Sequence, residues 1–549
     1  MSTGNPLEIA NIELNNTAST PDKIKVNIET SNSDHIPGQT LWNYIFKNPT
    51  NKWFIRTAII VTVLQFAVFK YLYPYAGFIN GDSYSYLETA YHNLSINTYP
   101  IGYSMFLRIF SVFTRSDTAL IATQYLLVQS SLMAFIFSLF YFYNPEKVTK
   151  IILFSFMLFN PVFLYLANYV SSDAFFLSLS MIWFTQLLWI INRPSKRLIV
   201  VNALILFLAF TVRYNALFYP AIALVALLIG RNSAGQKIGG IAISFLLIGV
   251  FIFYTSNKYY TLTGYRQFTP FTGWQTANNA LYAYRYVDSS QRKNVPKRFQ
   301  VLDRMVRTYF DTTRDIKKYP QEQLVASTVY MWAPDSPLSI YTETRFKKDT
   351  TASQLKKWAS VSSFFEDYGR LLIRQYPEEY VKFYLIPNAL KYYAPPLEFL
   401  GQYSTGVDSV SYIAQVWFDY KTNKLKTHFK DYNVNVLNFF PVLTGTMNIV
   451  LLFSLISFLI LRGHKQYPRL NQGILLIITL WVINFGFSVF ASPIALRFQL
   501  FPILASFSFT LFLLEFLIKE ATKTEGTNTL KNKSLLNPIG DTADNHYNY

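Results

Sequence analysis

Ten apolar runs constrain this chain more than any other feature, because most of them approach the ~20 residues that carry a helix across a bilayer. They read as spans near 54–74, 118–142, 149–169, 173–191, 198–212, 216–230, 238–256, 437–461, 472–490 and 494–517, with 198–212 and 216–230 the shortest. Composition agrees: 15% of residues are charged, against about 25% in soluble domains. The expected fold is therefore an all-α polytopic membrane bundle of about ten transmembrane helices.

Charge gives the orientation. Lys147, Lys150, Arg193, Lys196, Arg197, Arg231, Lys237, Arg462, Lys465 and Arg469 all fall in alternate connections, and Lys519 and Lys523 follow the last span. The positive-inside rule places those connections in the cytoplasm. The net charge of +18 is then read as loop and helix-end lysine and arginine. Nucleic acid is not an expected partner, since no soluble basic domain stands apart from the helices. With no cysteine there is no disulfide, thiolate zinc site or cysteine nucleophile, and the five histidines show no ligand spacing.

The expected organisation has five parts. Residues 1–52 are a polar, disordered cytoplasmic segment, and 53–256 a transmembrane core whose first outer loop spans 75–117. Residues 257–436 form a large extracytoplasmic domain, α-rich or mixed. Residues 437–518 are the C-terminal transmembrane helices, and 519–549 a disordered cytoplasmic tail.

The chemistry-bearing residues gather on the outer face. Gly81-Asp82-Ser83-Tyr84 follows the first span and opens a short amphipathic helix, in which Tyr84, Leu87, Tyr91 and Leu94 make an apolar stripe. Asp82 suits a general base toward a hydroxyl, or else a helix N-cap. Glu88 is a candidate second carboxylate, and Tyr99-Pro100-Ile101-Gly102-Tyr103 returns the chain to the membrane. Ser171-Ser172-Asp173 opens the fourth span, Arg213-Tyr214-Asn215 turns between the fifth and sixth, and Arg497 begins the last. Ionisable residues inside a membrane are functional candidates by default. Two carboxylates with two arginines suit a lipid phosphate, which arginine binds through paired, charge-assisted hydrogen bonds. A structural salt-bridge network reads equally from these residue types. In the outer domain Trp274 and Asn278, near Met331-Trp332, are candidates to face a sugar or to fill a core; Tyr86 and Tyr103 are further substrate-facing candidates.

On these motifs the chain resembles the GT-C superfamily of polytopic glycosyltransferases, within it the bacterial protein mannosyltransferase and aminoarabinose transferase-like group. The resemblance rests on the order and shared side of Gly81-Asp82-Ser83-Tyr84, the Tyr99–Tyr103 turn, Ser172-Asp173, Arg213-Tyr214-Asn215 and Leu496-Arg497-Phe498. It implies an inverting transfer of a sugar from a polyprenyl-phosphate donor to a glycan, lipid or protein acceptor. Asp82 and Asp173 would be the catalytic carboxylates, and Arg497 and Arg213 the donor-phosphate ligands. The first motif is Asp-Ser where the family commonly has Asp-Glu, so a divalent cation (Mg or Mn) on Asp82 and Asp173 stays open. The implied location is a bacterial plasma membrane with the site facing outward. The rival reading is a transporter or flippase of a lipid-linked saccharide, expected to show repeats and broken helices. A non-catalytic sensor with an outer ligand domain is a third.

Overall fold

The computed structural model describes residues 38–313, 327–491 and 493–535, the side chains of 313 and 524–535 excepted. Among the described residues there is no strand, only isolated bridges such as Gly77 with Tyr169. A bilayer core offers backbone groups no water, and helices satisfy those groups internally.

Eight helices are long and apolar enough to cross a membrane. The first is α1 (Pro49–Leu72), started by Asn48, whose side chain accepts from Thr50 and Asn51 N–H. Two short helices follow, α2 (Asp82–Tyr91) and α3 (Gly102–Ser111). The next crossings are α4 (Asp117–Tyr143) and a span broken into α5 (Lys147–Phe159) and α6 (Val162–Asn168). The break falls at Asn160-Pro161, where proline has no N–H to continue the ladder. Then come α7 (Ser172–Asn192), α8 (Lys196–Val212), α9 (Tyr219–Ile229) and α10 (Ala234–Thr263).

Two of the ten expected spans differ. α8 has 17 residues and α9 has 11. At ~1.5 Å per residue α9 is well short of the ~30 Å hydrocarbon core, whereas α8 is at the lower end of crossing lengths. Arg213, between them, lies at the same end of the bundle as the start of α7, whose Asp173 it pairs with.

The segment expected as one outer domain divides in two. The described residues between 271 and 385 have their own core, built on α11 (Phe271–Tyr284) and α12 (Gln354–Gln375) and filled by Trp274, Phe365 and Tyr368. Leu400, Val410, Trp417, Phe418, Val434 and Leu437 instead join the core of the membrane bundle. Between them lies α13 (Ile386–Tyr393), docked through Asn388 and Tyr392 onto the last third of α15 (Pro468–Ala491). Ile386 and Leu390 on α13 are exposed, which suits a helix at the lipid interface. α14 (Phe440–Ile460), α15 and α16 (Leu496–Leu535) complete the bundle.

Of the polar segment 1–52, residues 1–37 lie outside the described residues, whereas Leu41–Lys47 and the residues from Pro49 onward are helical. Likewise the expected disordered tail is helical to Leu535, and 536–549 lie outside the described residues.

Ion pairs mark both ends of the bundle. At one end Lys519 of α16 pairs with Glu146, at 2.9 Å, and with Glu515, at 2.8 Å. At the opposite end the starts of α2, α7 and α16 converge.

Candidate active site

Asp82 reaches the site because of the glycine before it. Gly81 has φ +86, a backbone conformation that glycine adopts readily and other residues rarely do, and it lets the chain turn sharply into α2. No side chain caps α2, so the N-cap reading of Asp82 does not hold. Its carboxylate instead accepts from the Tyr99 hydroxyl at 2.6 Å and from Arg497 at 3.1 Å. Burial, then the Asp82 charge, push the Tyr99 phenol well above its ordinary pKa, so it remains a donor.

The α2 helix buries Ser83, Tyr86, Leu87 and Ala90. Its buried face is not the Tyr84/Leu87/Tyr91/Leu94 stripe, since Tyr91 and Leu94 are exposed. The difference arises because α2 packs on protein, against α3 and residues 412–418, rather than lying on lipid.

Gly102 explains the turn motif. A Cβ there would stand 2.6 Å from the carbonyl of Thr211 in α8. This close approach locks the first loop against the helix that ends at Arg213. Gly102→Ala is expected to destabilise by about 1–3 kcal/mol, read as a lower thermal midpoint of the detergent-solubilised protein.

Asp173 sits in the first turn of α7, where a carboxylate complements the helix dipole. It accepts from the Ser171 hydroxyl at 3.0 Å, from Arg497 at 3.1 Å and from Arg213. Arg497 lies in the first turn of α16, where the dipole disfavours a cation. Its Nη1 bridges Asp82 and Asp173, and its guanidinium stacks on Phe399 and Phe498 at 4.9 and 4.3 Å. Arg213 stacks on Phe498 from the same distance, 4.3 Å.

The side chains of Asp173, Arg497, Arg213 and Asp82 are 2, 6, 16 and 20% exposed. Asp82 is thus the more exposed of the two carboxylates. The four formal charges cancel, as a buried cluster requires. The Arg497 Nε is nevertheless buried without a hydrogen-bond partner. It borders a cleft lined by Asp173, Asn215, Asn484, Phe218 and Phe501, with about 10 Å³ of free space. That is room for one water.

The other candidates fall elsewhere. Glu88 is exposed, and six residues beyond Asp82 it points ~240° around α2. Tyr86 is buried with its hydroxyl 3.0 Å from that of Ser172, and Tyr103 is buried with its hydroxyl on Gln124 at 2.7 Å. Both are buried in the protein around the site. Trp274 and Asn278 are buried in the core of 271–385, bonded to the Trp358 and Ser327 carbonyls at 2.9 and 2.8 Å. Trp332, 45% exposed, shows the aromatic face that Trp274 lacks. A divalent cation does not fit between Asp82 and Asp173, because the Arg497 guanidinium stands there.

Two residues complete the cluster beyond those expected: Tyr99, from the turn after α2, bonds Asp82, and Phe399, which no local motif marks, stacks on Arg497.

Fold and site together define a multi-pass, all-helical membrane protein with a buried ion-pair cluster at one end of its bundle. Compared with family models, curated proteins and solved structures, the chain matches none.

Proposed function

We propose that this protein is an inverting membrane glycosyltransferase. It moves a sugar from a polyprenyl-phosphate donor to an acceptor hydroxyl at the site end of the bundle, facing away from the cytoplasm. The observation that carries the reading is Arg497, whose Nε is buried without a partner, lining an apolar-walled cleft with Asp173 while it also bonds Asp82.

The acceptor oxygen attacks the anomeric carbon as its proton passes to Asp82. The bond from that carbon to the phosphate oxygen breaks, and polyprenyl phosphate leaves with one more negative charge. Arg497, through Nε, and Arg213 act on charge that appears only as the bond breaks, so they stabilise the transition state more than the ground state. The convergent helix starts of α2, α7 and α16 add a positive field for the same oxygen. Asp173 orients the two arginines. The phosphate enters by displacing the water-sized void and the facing Phe218 or Phe501 side chains.

A second reading, carriage of a lipid-linked saccharide, draws on the interrupted helices at Asn160-Pro161 and at Arg213–Phe218. Protein purified in detergent, with no sealed vesicle present, separates the two. Release of polyprenyl phosphate with a glycosylated acceptor, unaffected by EDTA, is expected of the transferase. Absence of release from every polyprenyl-phosphate sugar supplied favours carriage.

A further inference from the structure

The cleft beside Arg497 holds a second polar side chain that the transfer chemistry leaves idle. Asn484, on α15, lines the cleft together with Arg497 and is 5% exposed. Side chains from two other helices fix its amide. The nitrogen donates to the Tyr392 hydroxyl of α13 at 3.0 Å and to the Gln499 carbonyl oxygen of α16 at 2.7 Å. Tyr392 directs its own hydrogen to the Trp481 carbonyl at 3.4 Å, so toward Asn484 its oxygen accepts. Gln499 in turn donates to the Ser488 hydroxyl at 2.9 Å, which keeps its carbonyl turned toward Asn484.

Both amide hydrogens of Asn484 are thereby committed. Its carbonyl oxygen accepts no hydrogen bond among the described residues, although polar groups on side chains this deeply buried are nearly always paired. Asn484 therefore presents the cleft with an acceptor and no donor. Arg497 presents the opposite, a buried Nε hydrogen without a partner.

These two groups want different things of a ligand. An ionised phosphate oxygen has no hydrogen to give; it suits Arg497 and is repelled by the amide oxygen. The Asn484 oxygen requires an O–H or N–H. In a glycosyl phosphate the O–H closest to the phosphate is the one on C2, the carbon next to the anomeric carbon. The free space of about 10 Å³ has the size of one water, hence of one hydroxyl. An acetamido group on the same carbon brings an N–H but far exceeds that space.

We propose that Asn484 accepts the C2 hydroxyl of the donor sugar, so that the protein takes sugars with a free 2-hydroxyl and rejects their 2-deoxy and 2-acetamido counterparts. The inference rests on the transferase reading and names the class of sugar that the charge cluster leaves open. Positive charge develops at the anomeric carbon as its bond to the phosphate oxygen breaks. Hydrogen bonds to the neighbouring 2-hydroxyl strengthen at that moment, so the preference should appear in kcat as well as KM. The rejection is steep because the wrong sugar leaves a buried acceptor unpaired.

The test compares donors on the full chain in detergent. Polyprenyl phosphates carrying mannose, glucose, galactose, arabinose or N-acetylglucosamine are supplied first, and the best of the 2-hydroxy donors is then set against its 2-deoxy and 2-acetamido counterparts. Each counterpart should lose about a hundredfold or more in kcat/KM. Asn484→Leu should lower kcat/KM for the 2-hydroxy donor and not for the 2-deoxy donor, so that their ratio approaches one. Asn484→Ala, which adds no bulk beside Tyr392 and Gln499, is the second variant. A ratio between two donors does not depend on how much of a preparation is folded. Use of the 2-deoxy or 2-acetamido donor to within about tenfold of the 2-hydroxy donor by wild type overturns the proposal. So does a wild-type ratio retained in either variant, which would leave Asn484 holding a water only. Both outcomes leave the transferase reading intact. A wild-type protein that releases polyprenyl phosphate from none of the donors overturns that reading, and this inference with it.

Discussion

Arg497→Ala is expected to abolish measurable sugar transfer and to lower stability by about 3–5 kcal/mol, the loss found when one partner of a buried ion pair is removed. The two effects have one origin. Arg497 is the cation between Asp82 and Asp173, at 3.1 Å from each. Without it two carboxylates face each other across a largely desolvated gap, and one must take up a proton. The Arg213 contact with Asp173 survives, so the collapse falls mainly on Asp82. Arg497→Lys separates charge from geometry. A lysine keeps the cation but loses the planar fork and the stacking on Phe399 and Phe498. It should recover most of the thermal midpoint and little of kcat. Recovery of both would mean that Arg497 acts only as a counter-charge.

The second large effect is a split between the two aspartates. Asp82→Asn should lower kcat by about 10²–10⁴-fold with little change in thermal midpoint. An asparagine oxygen still accepts from Tyr99 or Arg497, and Asp82 is the more exposed of the pair. Asp173→Asn should do the reverse in emphasis, with a marked fall in thermal midpoint. Asp173 is 2% exposed and is held by both arginines, so its loss leaves Arg213 and Arg497 short of a buried counter-charge. Transfer rate and unfolding midpoint measured on the same preparations check the split. Equal loss of stability in both variants, with transfer tracking the amount of folded protein, would reduce the cluster to a structural ion-pair network.

Much of the architecture was legible because a bilayer imposes a local rule. A run of apolar residues reports its own crossing, and eight of the expected spans coincide with long apolar helices. The other two, 198–212 and 216–230, correspond to shorter helices, α8 with 17 residues and α9 with 11. Division of the segment 257–436 was not legible. Leu400 and Trp417 are apolar whether they fill a soluble core or the membrane bundle, and only their partners distinguish the two.

Sequence by itself determined the apolar spans, the basic and charged ends, the glycine before Asp82 and the identity of four ionisable residues near one end. Each is a property of a short stretch: hydropathy over a span, or a backbone conformation that glycine takes readily. Tertiary structure alone decided which charges meet. Asp82 and Arg497 are 415 positions apart, and nothing near either residue encodes that separation. A helix turns Glu88 away from Asp82, six residues back, and leaves it exposed.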